Sequence, residues 1–401
     1  MQQGLKDKIK QRDFKLQSLL EITKAINANA HIDDLLALYQ SILIEQLQIG
    51  KTLLVSTQDN ELSTLMVHGF NEPSIWHTHI LENAKKHKPK IETIEDNGTQ
   101  VVIVPIEKEG VAISFVVLGD NNEEEISLSP SIKHMRFVQT LTSVLIVAIQ
   151  NKKLVAESIA QAAVKRELEL AAEMQGMLLP KKLPNTETLT VNAYYKSHGQ
   201  VGGDYYDFIP INNHEWICCM ADVSGKGVSA AFLMAGLQAQ LRSLIEMYGN
   251  DLEKIISSLN RKVLESAQGE KFVTFFIGHY NEINRAFSYI NCGHNPPFLY
   301  NDLYPQWLNA TYPALGIVDE YYPLKNQLIE IPIDSQLLLY TDGLVEVENE
   351  MLIPFGENGI QQAFERYQKG FSNDSLMDSV HQFIGKMKFI DDIALLHIVI
   401  Q

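Results

Sequence analysis

Trp216-Ile217-Cys218-Cys219-Met220-Ala221-Asp222-Val223-Ser224-Gly225-Lys226-Gly227 packs a strand, a carboxylate and a glycine-rich loop into twelve residues. The run from Trp216 to Met220 is apolar at every position, as in a strand covered on both faces. Cys218 and Cys219 are adjacent in it, so they point to opposite sides of the sheet. The strand ends on Asp222, and Gly227 opens the apolar helical pattern Val228 to Tyr248. A strand buried on both faces needs a layer above it and a layer below it.

Working outward, the neighbouring segments supply those layers. Thr188 to Tyr195 reads as a strand and Asp251 to Ala267 as a second amphipathic helix. Val273 to Tyr280 and Ala286 to Cys292 form a hairpin around the polar turn Asn281 to Arg285. Leu337 to Tyr340 is a short buried strand. Helices follow near Gly359 to Tyr367 and Leu376 to Met387, and Ile393 to Ile400 is a final strand. Hairpin-connected strands with paired helices predict an α+β fold. Its C-terminal part is an α-β-β-α sandwich of two antiparallel sheets flanked by helices.

Upstream, residues 1 to about 50 are helical in pattern, with Leu16, Leu19, Leu20, Ile22 and Ile26 near helical spacing. Thr52 to Ser56, Val101 to Pro105 and Val111 to Leu118 are short β-rich runs, the last two split by the polar turn Glu107 to Gly110. This is a small N-terminal α+β domain. From Ser131 to Leu179 the pattern is helical again, and Pro180 and Pro184 close it. Leu145, Ala148, Val155, Ile159 and Ala162 follow a three-four spacing that restarts in a new phase at Val164. Two readings of this long helical linker stand: one amphipathic helix packed on its own domains, or a coiled-coil dimer linker. The domains are therefore expected at 1–150, 151–183 and 184–401.

At 401 residues the chain is long enough for two cores, and 45% of it is apolar. Its formal net charge is −16, from 33 basic and 49 acidic residues, which disfavours a nucleic-acid partner. The three cysteines form no CxxC pair, which disfavours a zinc site or a disulfide framework. The first residues carry no signal-peptide core. The longest candidate membrane stretch, Leu141 to Ile149, is far short of the ~20 apolar residues a span needs. The expectation is a cytoplasmic protein with no membrane partner.

Four aspartates share one local design. Asp204 follows Gly202 and Gly203, Asp222 ends the buried strand, Asp342 follows Leu339-Tyr340-Thr341, and Asp391 precedes Ile393 to Ile400. Each alone is ordinary, since an aspartate beside a glycine after a strand is most often a turn residue. Ser224 to Gly227 resembles a phosphate-cradling loop but lacks the full P-loop spacing. Strand ends of one sheet cluster, however, so the four carboxylates can converge. Such a set raises its own pKa values, and divalent cations relieve the conflict. Oxygen-only ligands favour magnesium or manganese, and a pair of such ions clamps the oxygens of an in-line phosphoryl displacement.

Those pieces, with Phe272 to Phe276, Asn291-Cys292-Gly293-His294-Asn295-Pro296-Pro297, Leu315-Gly316, Val345-Glu346, Phe355-Gly356 and Asp391-Asp392-Ile393, fall in one order. In that order, Leu168 to Ile400 resembles the SpoIIE/RsbU branch of the PPM-type metal-dependent serine/threonine phosphatases. Cys292 departs from the family's usual alanine. The resemblance implies two divalent cations, manganese or magnesium. Asp222 would bridge them, Asp204 and the Val223 carbonyl would bind one, and Asp342 and Asp391 the other, with Asp392 as runner-up for the last place. His294 reads first as a structural histidine, with a general acid as the alternative. No phosphate-binding arginine is identified. The N-terminal domain resembles a GAF domain in layout. The implied function is hydrolysis of phosphoserine or phosphothreonine on a partner protein, an anti-sigma-factor antagonist. An activating protein or small ligand would act at the N-terminal domain of a homodimer. The competing reading is a catalytically idle adaptor that binds the partner without turnover.

Overall fold

The computed structural model describes residues 2–58, 61–84, 90–96, 99–108, 110–120, 130–267, 269–303 and 305–401. The chain divides into two compact units, Met1–Ala162 and Ala163–Gln401.

The first unit is built on an antiparallel sheet. Its strands are β1 (Lys51–Gln58), β2 (Glu61–His68), β3 (Glu92–Asp96), β4 (Thr99–Lys108) and β5 (Val111–Gly119), in the order β2-β1-β5-β4-β3. Alternation along the strands sorts the two faces. Leu54, Val104, Val116 and Leu118 pack with residues of α1 (Gln2–Asn27), α2 (Ile32–Ser41) and the start of α4 (Pro130–Gly176). Leu53, Val55, Phe115 and Val117 pack on Trp76 and Ile80 of α3 (Pro73–Ala84). The expected hairpin joins β4 to β5 through the pair Lys108↔Val111, and Glu109 of its turn lies outside the described residues.

The second unit has four layers. One sheet holds β7 (Tyr205–Pro210), β8 (Glu215–Val223), β9 (Val273–Asn281), β10 (Ala286–Cys292) and β13 (Gln327–Glu330), ordered β13-β10-β9-β8-β7. The other holds β6 (Leu189–Lys196), β11 (Phe298–Tyr300), β12 (Gln306–Trp307), β14 (Ser335–Tyr340) and β15 (Ile393–Ile400), ordered β12-β11-β14-β15-β6. Every pairing is antiparallel.

Between the sheets lies a core of Phe208, Cys218, Met220, Phe276, Phe287, Leu337, Leu339, Leu396 and Ile398. Cys219, Ala221 and Phe275 face the other way, onto α5 (Val228–Tyr248) and α6 (Leu252–Ala267). Leu338, Tyr340, Ile393 and Leu395 face α7 (Asp342–Val345), α8 (Gly356–Tyr367) and α9 (Asn373–Ile384). Cys218 and Cys219 therefore serve two different cores, as strand alternation requires. This is the expected α-β-β-α sandwich.

Two helices, α4 and α5, are long and apolar enough by length and composition to cross a bilayer, which exceeds the short stretch read from sequence. Each buries part of that apolar surface in a core. Val138, Leu141 and Leu145 of α4 pack on the first unit's sheet, and Met234, Leu237 and Leu241 of α5 on the second unit's.

Candidate active site

Antiparallel pairing places the start of one strand beside the end of its neighbour. Tyr205 pairs with Ala221, so Asp204, just before β7, lies near Asp222 in the last turn of β8. Tyr340 pairs with Leu395, so Asp342, just after β14, lies near Asp391, just before β15. The two sheets meet at this rim. Thr341 Oγ1 donates to Asp204 Oδ2 at 2.7 Å and accepts the Ala394 amide at 2.9 Å, tying both sheets together.

Electrostatics show that the carboxylates feel one another. Burial, and then Asp222, raise the Asp204 carboxyl well above its ordinary range, against the Thr341 hydrogen bond. Burial, Asp342 and Asp391 push Asp222 up to about 7, with a hydrogen bond to Asp204 opposing. Burial, Glu346 and Asp391 push Asp342 up to about 6, and Lys226 works the other way. The Tyr195 hydroxyl, whose own proton is held more tightly through burial, Asp392 and Asp204, is buried there without a hydrogen-bond partner.

Asp391 and Asp392 are told apart by their partners. Asp392 Oδ1 accepts the His198 amide at 2.7 Å and its Oδ2 the Gly203 amide at 2.8 Å. Asp392 is thus engaged in holding the loop that carries Asp204. Asp391 caps its neighbour's amide with Oδ1, and its Oδ2 meets the Lys226 ammonium at 2.6 Å on the exposed side. The Val223 carbonyl lies against Gly203, where a Cβ would come within 3.0 Å of it. Gly343 is required by close approach, because a Cβ there would fall 1.9 Å from the Asp392 carbonyl oxygen. Only glycine lets the first turn of α7 press onto the start of β15.

His294 is buried and both of its ring nitrogens are engaged. Nε2 lies 3.1 Å from the Tyr340 carbonyl and so carries the proton, leaving Nδ1 to accept from Thr274 Oγ1 at 2.9 Å. Burial lowers its pKa to about 4, so the ring is neutral. Thr274 pairs with Asp222 across β8 and β9. The geometry matches the structural reading of this histidine: it braces Asp222 against the strand that leads to Asp342.

The donor set suits a hard divalent cation: oxygen atoms only, mutually repelling, with an orphaned hydroxyl among them. It is not closed. Among the described residues, no three His, Cys, Asp or Glu side chains stand close enough to hold one ion as placed.

The family model for stage II sporulation protein E (SpoIIE) matches residues 212–401. The match covers just under half of the chain. The phosphoserine phosphatase RsbU of Bacillus subtilis (strain 168) is 33% identical over 195 residues, 47% of this chain and 56% of that protein. The phosphoserine phosphatase RsbP of the same organism is 29% identical over 187 residues, 45% of this chain and 46% of that protein. The chain thus spans about half the length of these curated relatives. Among solved structures, the SiaA-PP2C domain of Pseudomonas aeruginosa superposes with a TM-score of 0.54 at 17% identity, covering 60% of this chain and 99% of that one. That likeness concerns the fold.

The carboxylate rim is reached by a contact that no sequence motif announced. In the last turn of α4, Gln175 Nε2 donates to the Gly202 carbonyl at 2.6 Å, and its Oε1 accepts the Gly202 amide at 3.1 Å. The linker helix therefore holds the backbone two residues before Asp204. Thr341 and Asp392 were also quoted in motifs without their roles as fasteners. Their partners lie 137 and 189 positions away in the chain, a distance that no local pattern reports.

Proposed function

We propose that the protein is a divalent-metal-dependent phosphatase acting on phosphoserine or phosphothreonine of a partner protein. The observation that carries this reading is the convergence of Asp204, Asp222, Asp342 and Asp391 at one rim of the α-β-β-α sandwich, with proton affinities raised by crowding. Asp222, Asp204 with the Val223 carbonyl, and Asp342 with Asp391 would hold the divalent cations that this chemistry needs. Bound there, manganese or magnesium supplies positive charge that offsets the carboxylates, polarises water and draws negative charge from a phosphoryl group.

The chain's own residues do the rest. Thr341 aims Asp204, Asp392 anchors the loop behind it, and His294 braces Asp222 from within the sandwich. With Asp392 spent on two amides, Asp391 is the ligand of the pair. An in-line attack of water on phosphorus forms one P–O bond as the seryl or threonyl P–O bond breaks, and the leaving oxygen takes a proton.

The regulatory half of the proposal rests on Gln175. A helix that grips Gly202 can place or misplace Asp204, so the rim closes on its ions only when α4 is seated. Exposed Leu154, Val155, Ile159 and Val164 give α4 an apolar surface for a homodimer. The N-terminal α+β unit is then a GAF-like sensor that biases the helix on binding a protein or small ligand. A phosphoserine substrate is in keeping with the names of the curated relatives; an anti-sigma-factor antagonist as that substrate, and the cytoplasm as the setting, follow from the sequence resemblance alone.

Phosphate release from protein substrates tests the reading. Manganese-dependent release from a phosphoserine protein, abolished by chelator and absent with a phosphotyrosine protein, is expected. Chelator-resistant release, or equal turnover of phosphotyrosine, contradicts it.

A further inference from the structure

The loop Ser224 to Gly227, which resembles an anion cradle in sequence, is left unused by the carboxylate chemistry. It is firmly based. The Ser224 amide donates to the Phe272 carbonyl at 2.9 Å, and the Ser224 hydroxyl accepts the Phe272 amide at 2.9 Å. Lys271 Nζ donates to Ser229 Oγ at 2.9 Å and to the Ser224 carbonyl at 3.3 Å. Above that base, Gly225 (φ 89°) and Gly227 (φ 75°) turn the backbone on either side of Lys226. Both take the left-handed conformation that glycine adopts without strain. The loop therefore presents one side chain, and it is a cation.

Lys226 Nζ sits 2.6 Å from Asp391 Oδ2 and donates to the Ile390 carbonyl at 2.8 Å. Among the described residues, no other Lys or Arg pairs with Asp204, Asp222, Asp342 or Asp391. More than half of its side chain is exposed, and its stem lines a cleft of about 350 Å³ together with Val201 and Asp392. Lys226 thus both borders this cleft and reaches the rim carboxylate Asp391.

We propose that Lys226 is the phosphate-binding side chain of this site, a catalytic residue that pairs with a non-bridging oxygen of the phosphoryl group. This rests on the phosphatase reading and extends it. A phosphomonoester dianion approaching four carboxylates needs fixed positive charge at the entrance, and no arginine of the sequence motifs is placed to supply it. With Asp391 engaged elsewhere, Lys226 would keep its bond to the Ile390 carbonyl and have two N–H donors unassigned beside the incoming dianion. An ammonium serves as a point charge for phosphate, on a stem free to follow it.

The test measures inorganic phosphate binding to the manganese-loaded full chain by calorimetry, for wild type, Lys226→Ala and Lys226→Arg. Manganese affinity and thermal unfolding of each variant are measured alongside. Lys226→Ala is expected to weaken phosphate binding by about tenfold or more. Its manganese affinity should be equal or tighter and its unfolding unchanged, while Lys226→Arg retains most phosphate affinity. With a phosphoserine protein, the same loss appears in kcat/KM. Equal phosphate affinity in wild type and Lys226→Ala overturns the proposal. If Lys226→Ala then binds manganese more tightly, Lys226 only competes for Asp391. Weakened manganese binding with unchanged phosphate affinity in the loaded state also overturns it, leaving a structural loop residue. Because the readout is binding, a wild type that binds phosphate through Lys226 but turns over nothing sinks the phosphatase reading and the catalytic role, and leaves Lys226 as a phosphate-binding residue.

Discussion

At the scale of single residues, the site is a charge conflict with a chemical remedy. Asp222 at about 7 and Asp342 at about 6 hold protons that an ordinary aspartate releases near 4. A cation must displace those protons. Manganese affinity is therefore predicted to strengthen as pH rises through about 6 to 7 and to level off above about 8, by up to about tenfold per pH unit for each proton displaced. Calorimetric titrations across that window check it, and a flat profile contradicts it. The same shifts carry a stability sign. In a folded state that binds protons more tightly than the unfolded chain, stability falls as pH rises from the unfolded value towards the folded one. The metal-free protein should thus lose thermal stability as pH rises from about 4 to about 7, and Asp222→Asn should flatten that loss. A metal-free variant that melts with the wild-type pH slope contradicts the assignment of Asp222 to the crowded rim.

A second residue-scale prediction concerns Asp207, which is fully buried within β7. Arg242 of α5 meets its Oδ2 through Nε at 2.9 Å and through a terminal nitrogen at 2.8 Å, and the Tyr205 hydroxyl donates to the same oxygen at 2.6 Å. Removing the guanidinium leaves an uncompensated buried charge. Arg242→Ala is expected to destabilise the domain by about 3–5 kcal/mol in chemical denaturation. The double variant with Asp207→Asn should recover part of it. Simple additivity of the two changes contradicts a direct pairing.

At the scale of elements, strand ends and helix starts set the geometry. α7 begins at Asp342 and presses Gly343 onto the Asp392 carbonyl, so Gly343→Ala must push α7 and the start of β15 apart. Overpacking of this kind costs about 1–3 kcal/mol. Because the displaced groups are Asp342 and Asp391, activity should fall far more than unfolding stability does. Turnover and melting on the same sample separate the two, and a variant that melts early while keeping its specific activity contradicts the close-approach account.

The elements differ in how openly their sequence declared them. β8, β10 and β15 are mostly apolar and buried along nearly their whole length, and their limits in sequence and structure nearly coincide. β2 and β3 went unread: Glu61–His68 and Glu92–Asp96 lie at the two edges of their sheet and carry too few apolar residues to stand out. β11, β12 and β13 are two to four residues long, too short for a period to register. α4 ends at Gly176, before Pro180, where Met177 and Leu178 tighten into turns onto the Met174 and Gln175 carbonyls. The four aspartates were legible because each stands at or beside the end of a strand. Thr341, Asp392 and Gln175 were not, since their work is done across the fold.

For the molecule as a whole, the proposal joins a site in Ala163–Gln401 to a second unit in Met1–Ala162 through one continuous helix. If α4 conveys the state of the N-terminal unit, deleting residues 1–160 changes rate, oligomeric state or metal dependence. A truncated chain that matches the full one in all three contradicts the gating. Gln175→Ala in the full chain isolates the last link, with activity predicted to fall and metal-free melting to change little.

The central claim is that the rim of aspartates hydrolyses phosphoserine with the help of divalent cations. Its most direct measurement is phosphate release from a phosphoserine protein with manganese, comparing wild type with Asp222→Asn. Turnover by the wild type, with a loss on the order of a hundredfold or more in the variant, is predicted. Equal turnover by the two proteins would contradict the account.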